Sequence, residues 1–161
     1  MSLNLYALAQ DVGQACLMRG WTLVAAESCT GGLLLSTLTD VSGSSRYVMG
    51  GMVAYHNALK RDWLGVSDAI LAQEGAVSAA CARQMAQGIR ARIPADVGMS
   101  VTGIAGPDGG TPEKPVGLVY LGLAWGEHVE VTRHVWQGDR EANKRASVHA
   151  MLTRLLALLR E

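Results

Sequence analysis

The sequence has no phenylalanine, and aromatic residues make up only 5% of its 161 residues. It also has no excess of charge, because fourteen basic side chains balance fourteen acidic ones. Without a basic surplus or an aromatic–basic stripe, the chain lacks the features that bind nucleic acid. No apolar run is long enough to cross a bilayer, and no basic-then-apolar leader opens the chain. We therefore expect a cytoplasmic protein that binds neither nucleic acid nor membranes.

Cysteine is also scarce, with three residues at positions 16, 29 and 81. Their spacing matches neither a disulfide framework nor a paired metal-binding motif. We therefore expect a reducing environment and no metal site.

What the sequence does contain is ample apolar material for one buried core, at 49% of its residues. Apolar periodicity and turn residues predict helices that alternate with strands. The predicted strands are 21–26, 47–55, 97–101, 117–125 and 128–136. The predicted helices are 3–19, 30–38, 56–63, 67–73, 78–92 and 140–159. This order predicts a single α/β domain over residues 1–161, a three-layer α/β/α domain with a mixed, mostly parallel sheet of about five strands, one of them antiparallel.

Polar segments follow three of the predicted strands, after Ala26, Tyr55 and Val101. In open α/β sheets, ligands gather at the carboxyl ends of parallel strands. If these three strands are parallel, the three polar segments meet at one edge of the sheet. We expect the functional site at that edge.

The first polar segment, Ala-Glu-Ser-Cys-Thr-Gly-Gly at 26–32, joins a predicted strand to a predicted helix. Such a turn places backbone N–H groups and a helix N-terminus beside Ser28 and Cys29, which suits a nucleophile that forms an oxyanion. The simpler alternative is a structural turn in which Thr30 caps the helix.

This turn offers two candidate nucleophiles. Ser28 needs a base, and since Ser-His-Asp and Gly-x-Ser-x-Gly patterns are both missing, the candidate is Lys60 with a lowered pKa. Tyr55 would then relay a proton or orient the amine. Alternatively Cys29, with its pKa lowered at a helix start, would act together with Glu27 and Lys60. Glu27 fits a structural role equally well, with its carboxylate bound to Lys60 or to backbone amides.

A long glycine- and proline-rich loop, residues 103–115, follows the third strand. Loops of this length in compact domains are usually functional or disordered. Its glycines let backbone N–H groups approach an anion, while Thr102 and Lys114 add a hydroxyl and a charge. The spacing fits neither a Walker loop nor a dinucleotide-binding fingerprint. Further candidates for phosphate contacts are the serine-rich segment 42–45, Arg140 and Arg145.

Several separated motifs together resemble one known family. They are Ala-Glu-Ser-Cys-Thr-Gly-Gly at 26–32, Gly-Ser-Ser at 43–45, Tyr55 with Asn57 and Lys60, Leu-Gly-Val at 64–66, Gly-Ala-Val-Ser at 75–78, Thr-Gly-Ile-Ala-Gly-Pro-Asp-Gly-Gly at 102–110 and Lys-Pro-Val-Gly at 114–117. In register from about residue 5 to residue 155, the chain resembles the CinA C-terminal domain family. The stand-alone members of that family are nicotinamide-nucleotide amidases.

The resemblance implies a bacterial enzyme that hydrolyses the carboxamide of nicotinamide mononucleotide, giving nicotinate mononucleotide and ammonia, without a metal or other cofactor. It favours Ser28 as nucleophile, Lys60 as base and Tyr55 as their assistant, and it suggests a homodimer. The residues expected to contact the substrate are Glu27, Cys29, Thr30, Gly31, Ser44, Ser45, Thr102, Gly103, Ile104, Ala105, Gly106, Lys114, Arg140 and Arg145. Longer members carry an additional N-terminal domain, whose activity we expect to be absent here.

The resemblance also leaves a non-catalytic alternative. The family's name links it to competence and DNA-damage responses, and glycine-rich loops bind phosphates with or without chemistry. A nucleotide-binding or regulatory module is therefore the rival hypothesis.

Overall fold

The structure, a computed structural model, describes residues 3–161, which form six helices and five strands. The strands are β1 (Leu23–Glu27), β2 (Val48–Val53), β3 (Val97–Gly103), β4 (Leu118–Trp125) and β5 (His128–Val135). The helices are α1 (Leu5–Arg19), α2 (Leu33–Thr39), α3 (Asn57–Asp62), α4 (Asp68–Gln73), α5 (Ala79–Arg92) and α6 (Arg140–Arg160). Each predicted element is present, with its ends shifted by a few residues. Among these described residues, none of the helices combines the length and the apolar character needed to cross a bilayer.

The five strands form one sheet in the order β2-β1-β3-β4-β5. Strand β1 pairs in parallel with both β2 and β3, whereas β4 pairs antiparallel with β3 and β5. Four strands therefore run in one direction and β4 runs against them. The predicted mixed, mostly parallel sheet is confirmed.

Helices cover both faces of this sheet. Strand β1 is central, and all its residues are buried. Because side chains alternate along a strand, Leu23 and Ala25 join the core shared with α1, α2 and α6, while Val24 and Ala26 join the core shared with α5. In the absence of phenylalanine, both cores consist mainly of leucine, valine, alanine and methionine. The three predicted layers are thus confirmed.

The carboxyl ends of β1, β2 and β3 meet at one edge of the sheet. Glu27, at the end of β1, is level with Val53 of β2 and Val101 of β3. Just beyond, the backbone N–H of Ser28 donates to the Val101 carbonyl at 2.8 Å, and that of Ala54 donates to the Glu27 carbonyl at 2.8 Å. The polar segments that follow these strands therefore share one edge, as predicted.

The segment between β1 and α2 is longer than predicted, because α2 begins at Leu33 rather than near residue 30. Gly31 and Gly32 have φ angles of 59° and 103°, which only glycine adopts at little cost. These two glycines add a further backbone turn between β1 and the start of α2. The predicted cap by Thr30 is wrong, since its hydroxyl is buried and has no hydrogen-bond partner among residues 3–161.

Candidate active site

The turn between β1 and α2 is held by the buried carboxylate of Glu27. Its two oxygens accept hydrogen bonds from the backbone N–H groups of Gly32 at 3.1 Å, Leu34 at 3.1 Å and Leu35 at 2.8 Å. A carboxylate is favourable there because the first N–H groups of a helix lack partners and carry the positive end of its dipole. Glu27 thus has the structural role that the sequence left open, and its carboxylate binds backbone amides rather than Lys60.

Ser28 and Lys60 form a buried contact at the adjoining strand ends. The Lys60 Nζ lies 3.0 Å from the Ser28 Oγ. It also donates to the carbonyl of Ala54 at 2.7 Å and to that of Tyr55 at 3.1 Å. Helix α3 presents Lys60 from beyond the end of β2, and only 1% of the residue is exposed. The two residues predicted as nucleophile and base are therefore within hydrogen-bond distance.

Burial also shifts the protonation equilibrium of this lysine towards the neutral amine. Removal from water disfavours the charged amine and lowers the pKa of Lys60. Within the described chain, Lys60 has no carboxylate close enough to form an ion pair. A neutral amine has two N–H donors and one lone pair, and the two carbonyls occupy both donors. In that neutral form the lone pair would remain for the Ser28 hydroxyl proton, and such an arrangement can activate a serine.

The neighbouring thiol is poorly suited to be the nucleophile. Cys29 is almost fully buried, and this burial raises the pKa of its thiol to about 12. The expectation that the helix start would lower this pKa is wrong, because desolvation outweighs the favourable electrostatics. At neutral pH Cys29 is a protonated thiol, which is a weak nucleophile.

A cavity of about 270 Å³ opens above the Ser28–Lys60 contact. The predicted residues that line it are Ser28, Cys29, Tyr55, Lys60, Thr102, Gly103, Ile104, Ala105, Gly106 and Arg140. The lining residues that were not proposed as site residues are Asn57, Ala76, Val77 and Asp108. All four lie in the sequence motifs on which the family resemblance rests, so their motif membership was the available signal. Groups of three or more His, Cys, Asp or Glu side chains that could hold a metal do not occur in residues 3–161.

Other predicted substrate contacts lie outside the cavity lining. Ser44 and Ser45 form a 3₁₀ turn with Arg46 just before β2, which places them at the opposite edge of the sheet from Ser28. Thr30 and Gly31 belong to the turn between β1 and α2 but do not line the cavity, and Thr30 is fully buried. The sequence motifs did not indicate which of these residues would miss the cavity, because a motif before a strand and a motif after it lie at opposite ends of that strand.

Two predicted cationic residues are also bonded elsewhere. The Lys114 ammonium donates to the Glu74 carbonyl. The Arg145 guanidinium donates to the Leu3 carbonyl at 3.0 Å, beside the start of α1. Of the three candidate phosphate ligands, only Arg140 lines the cavity in the described chain.

Tyr55 and Arg140 stand together at the mouth of the cavity. The Arg140 guanidinium donates to the Tyr55 hydroxyl at 3.3 Å and to the Gly106 carbonyl at 2.7 Å. Tyr55 is 61% exposed as a residue, and its backbone carbonyl accepts a hydrogen bond from the buried Lys60 amine at 3.1 Å. Tyr55 thus meets Lys60 through its backbone and faces the cavity entrance with its ring.

Two segments of the cavity wall, one at Ala76 and one at Ala105, are anchored by buried side chains. The Thr102 hydroxyl, on β3, donates to the Ala76 carbonyl at 2.8 Å. The Asn143 amide, on α6, donates to the carbonyl of Ala105 at 3.0 Å. Asn143 is 1% exposed, and the sequence gave no reason to single it out. The wall is therefore fixed to both β3 and α6.

Sequence comparisons agree with these observations. A family model for the CinA C-terminal domain matches residues 5–159. The chain is 45% identical over 154 residues to a protein of Enterobacter agglomerans named nicotinamide-nucleotide amidohydrolase PncC, and this match covers 94% of each protein. It is 54% identical over 134 residues to a CinA-like protein of Syntrophotalea carbinolica, matching 83% of this chain and 32% of that protein. The chain thus spans about a third of the length of several longer relatives.

Solved structures show the same fold. The competence/damage inducible protein CihA from Agrobacterium tumefaciens superposes with a TM-score of 0.94 at 40% identity, over 100% of both chains. A CinA superfamily protein from Klebsiella pneumoniae gives a TM-score of 0.95 at 34% identity, over 98% of this chain and 99% of that one. The chain belongs to the CinA C-terminal domain family.

Proposed function

We propose that this chain is an amidohydrolase that converts nicotinamide mononucleotide to nicotinate mononucleotide and ammonia, with Ser28 as nucleophile and Lys60 as base. The observation that carries the proposal is the 3.0 Å contact between the Lys60 Nζ and the Ser28 Oγ at the foot of a cavity. The 45% identity to a protein named as a nicotinamide-nucleotide amidohydrolase, over nearly the whole chain, supports this choice of reaction.

In the first half of the reaction, the Ser28 Oγ attacks the carboxamide carbon while the Lys60 Nζ accepts the hydroxyl proton. A lysine can do this only when it is neutral, and burial of Lys60 lowers its pKa in that direction. The tetrahedral intermediate then collapses as Lys60 returns the proton to the leaving nitrogen. Ammonia departs, and an ester between the substrate acyl group and Ser28 remains.

In the second half, water attacks this ester and transfers a proton to Lys60. Collapse of the second tetrahedral intermediate releases the carboxylic acid, and Lys60 returns the proton to the Ser28 Oγ. The net reaction consumes one water molecule and releases one ammonia molecule. The same amine therefore acts as base and acid in both halves, and no histidine is needed.

The negative charge on each intermediate needs hydrogen-bond donors beside Ser28. The N–H groups of Cys29 and Thr30 donate no hydrogen bond to another residue of the described chain. By contrast, the Gly31 N–H is already bonded to the Ser28 carbonyl at 3.1 Å. We assign the oxyanion contact to the Cys29 N–H, and a single such donor contributes about 3–4 kcal/mol in well-studied enzymes.

Arg140 is the residue that we assign to the substrate's phosphate. Among residues 3–161 it is the cation at the cavity mouth, and its side chain is oriented by Gly106 and Tyr55. An arginine suits this task because its planar guanidinium matches the geometry of phosphate oxygens. The carboxamide would then lie at Ser28, while the ribose phosphate would extend towards the entrance.

The test is ammonia release from nicotinamide mononucleotide by Ser28→Ala beside the matched variant Cys29→Ala. We expect Ser28→Ala to lose at least about 1,000-fold in kcat while it stays folded, because the nucleophile is gone. Cys29→Ala should stay within about tenfold of the parent, since the buried thiol takes no part in the chemistry. An inactive Cys29→Ala beside an active Ser28→Ala would identify Cys29 as the nucleophile.

A second outcome would favour the regulatory hypothesis. Several relatives are named as putative competence-damage inducible proteins, and those names describe no chemistry. A folded parent protein that binds nicotinamide mononucleotide but releases no ammonia would support a nucleotide-binding module instead.

A further inference from the structure

The charged groups at the mouth of the cavity are a separated pair of opposite sign. Of the described residues that line the cavity, Asp108 alone is acidic, and it is exposed. Within residues 3–161, the Asp108 carboxylate forms no ion pair, not even with Arg140 on the same cavity. Arg140 is instead bonded to the carbonyl of Gly106, two positions before Asp108. The mouth thus carries one carboxylate and one guanidinium that do not form an ion pair with each other.

Other charged groups nearby do not alter this pattern. The Glu27 carboxylate is fully buried and bound to backbone N–H groups of the turn and α2. The Lys60 amine lies at the foot of the cavity, where its three hydrogen bonds hold it. A ligand that enters the mouth therefore meets the charged side chains of Asp108 and Arg140.

We propose that Asp108 determines specificity by attracting the positively charged pyridinium ring of the substrate, while Arg140 takes the phosphate; this inference rests on the function proposed above. Nicotinamide mononucleotide carries a positive charge on its ring nitrogen and negative charges on its phosphate. The ligand therefore has one positive and one negative group, and the cavity mouth has a carboxylate and a guanidinium of the opposite signs. The exposed ring of Tyr55, which also lines the cavity, adds a surface that attracts a cation.

This assignment distinguishes a charged ring from a neutral one. A reduced dihydronicotinamide ring and a benzamide ring have nearly the same shape as the substrate's ring but no positive charge. Neither would be attracted by Asp108. An exposed charge pair is screened by water, so we expect the carboxylate to favour the cationic ring by about fivefold in affinity.

The experiment compares nicotinamide mononucleotide with benzamide riboside 5′-monophosphate, which has a neutral ring and the same phosphate. Binding of both is measured by calorimetry in a Ser28→Ala background, in which the substrate is not consumed. Asp108→Asn keeps the size of the side chain and removes its charge. We expect this change to weaken the binding of nicotinamide mononucleotide about fivefold and that of the benzamide analogue less than twofold.

Glu113→Gln is the matched control, because Glu113 is an exposed carboxylate in the same loop that does not line this cavity. It should leave both affinities unchanged. Equal weakening of both ligands by Asp108→Asn, no weakening of either, or no measurable binding of nicotinamide mononucleotide would overturn the role of Asp108. Ammonia release by the parent protein tests the proposed function separately. If Asp108→Asn weakens only nicotinamide mononucleotide and the parent releases no ammonia, the role of Asp108 stands and the proposed amidase activity is rejected. If the parent releases ammonia and Asp108→Asn affects both ligands alike, only the role of Asp108 is rejected.

Discussion

Replacing Lys60 by methionine removes the proposed base and keeps a flexible side chain of similar length. We expect Lys60→Met to lose about 1,000-fold in kcat, because a positioned general base contributes 10²–10⁴-fold. Its affinity for nicotinamide mononucleotide should stay within about tenfold of the parent, since the amine acts mainly in the transition state. The variant therefore separates the chemistry from the binding of the nucleotide.

The cost to stability follows from the contacts of the amine. Lys60→Met leaves the buried carbonyl of Ala54 and the part-buried carbonyl of Tyr55 without this donor, at about 1–3 kcal/mol each, with the Tyr55 carbonyl at the lower end. Against this, the variant no longer buries an amine, and a buried methionine side chain contributes about 1.5–3 kcal/mol. The two effects largely offset, so we expect a net loss of about 1–2 kcal/mol in the free energy of unfolding. The variant should therefore remain folded at room temperature.

The pH dependence gives a second measure of the same residue. Burial lowers the pKa of Lys60 in the folded protein below its usual value of 10.5. Between the folded pKa and the unfolded pKa, the unfolded chain binds more protons, so the free energy of unfolding rises with pH. That contribution is present above the unfolded pKa and is lost as the pH falls through the folded pKa. In Lys60→Met this rise should be absent, and in the parent kcat/KM should also rise with pH as the amine loses its proton.

The assays are ammonia release, calorimetric binding of the nucleotide and urea unfolding across a range of pH. Lys144→Met is the matched control, because Lys144 is a half-buried lysine that does not line the catalytic cavity. It should keep the pH dependence of the parent in both activity and stability. A Lys60→Met protein with near-normal turnover, or with an unchanged rise of stability with pH, would refute the assignment of a neutral base.

Two further substitutions test the surroundings of this pair. Glu27→Gln should lower the free energy of unfolding by about 2 kcal/mol in urea titrations, because a neutral amide binds the N–H groups at the start of α2 less strongly than a carboxylate; unchanged stability would contradict the structural role of Glu27. Arg140→Met should raise the KM for nicotinamide mononucleotide about tenfold and leave that for nicotinamide riboside, which lacks the phosphate, nearly unchanged; an equal effect on both substrates would show that Arg140 does not bind the phosphate.

Local patterns were sufficient to predict the sheet and the strand edge that carries the site. Apolar runs and breaker residues identify strands and helices, and the parallel direction of β1, β2 and β3 then follows from the helices between them. The pairing of Ser28 with Lys60 was proposed because no catalytic histidine pattern occurs. The burial of Lys60 was expected only from its proposed role as a base, since lysines taken alone are mostly exposed. It depends on two carbonyls at the end of β2 that only the folded backbone brings to the amine.

The wrong predictions have a common physical origin. Thr30 stands where a capping residue is expected, yet the N-terminus of α2 is bound by Glu27 from the end of the preceding strand. The Cys29 thiol was expected to be acidic near a helix start, but burial reverses the direction of its pKa shift. Both outcomes depend on which groups are removed from water, and that depends on packing between distant segments. Sequence patterns describe neighbours along the chain and do not contain this information.

The amine of Lys60 takes its position from two peptide carbonyls rather than from another side chain. Every amino acid supplies an identical carbonyl, so exchanges at positions 54 and 55 that preserve the backbone would keep the amine aligned with the serine. If Ser28 and Lys60 react as proposed, we expect that the cavity wall can be redesigned for other carboxamides without moving this pair. This separation makes the scaffold a suitable starting point for engineering amidases of altered selectivity.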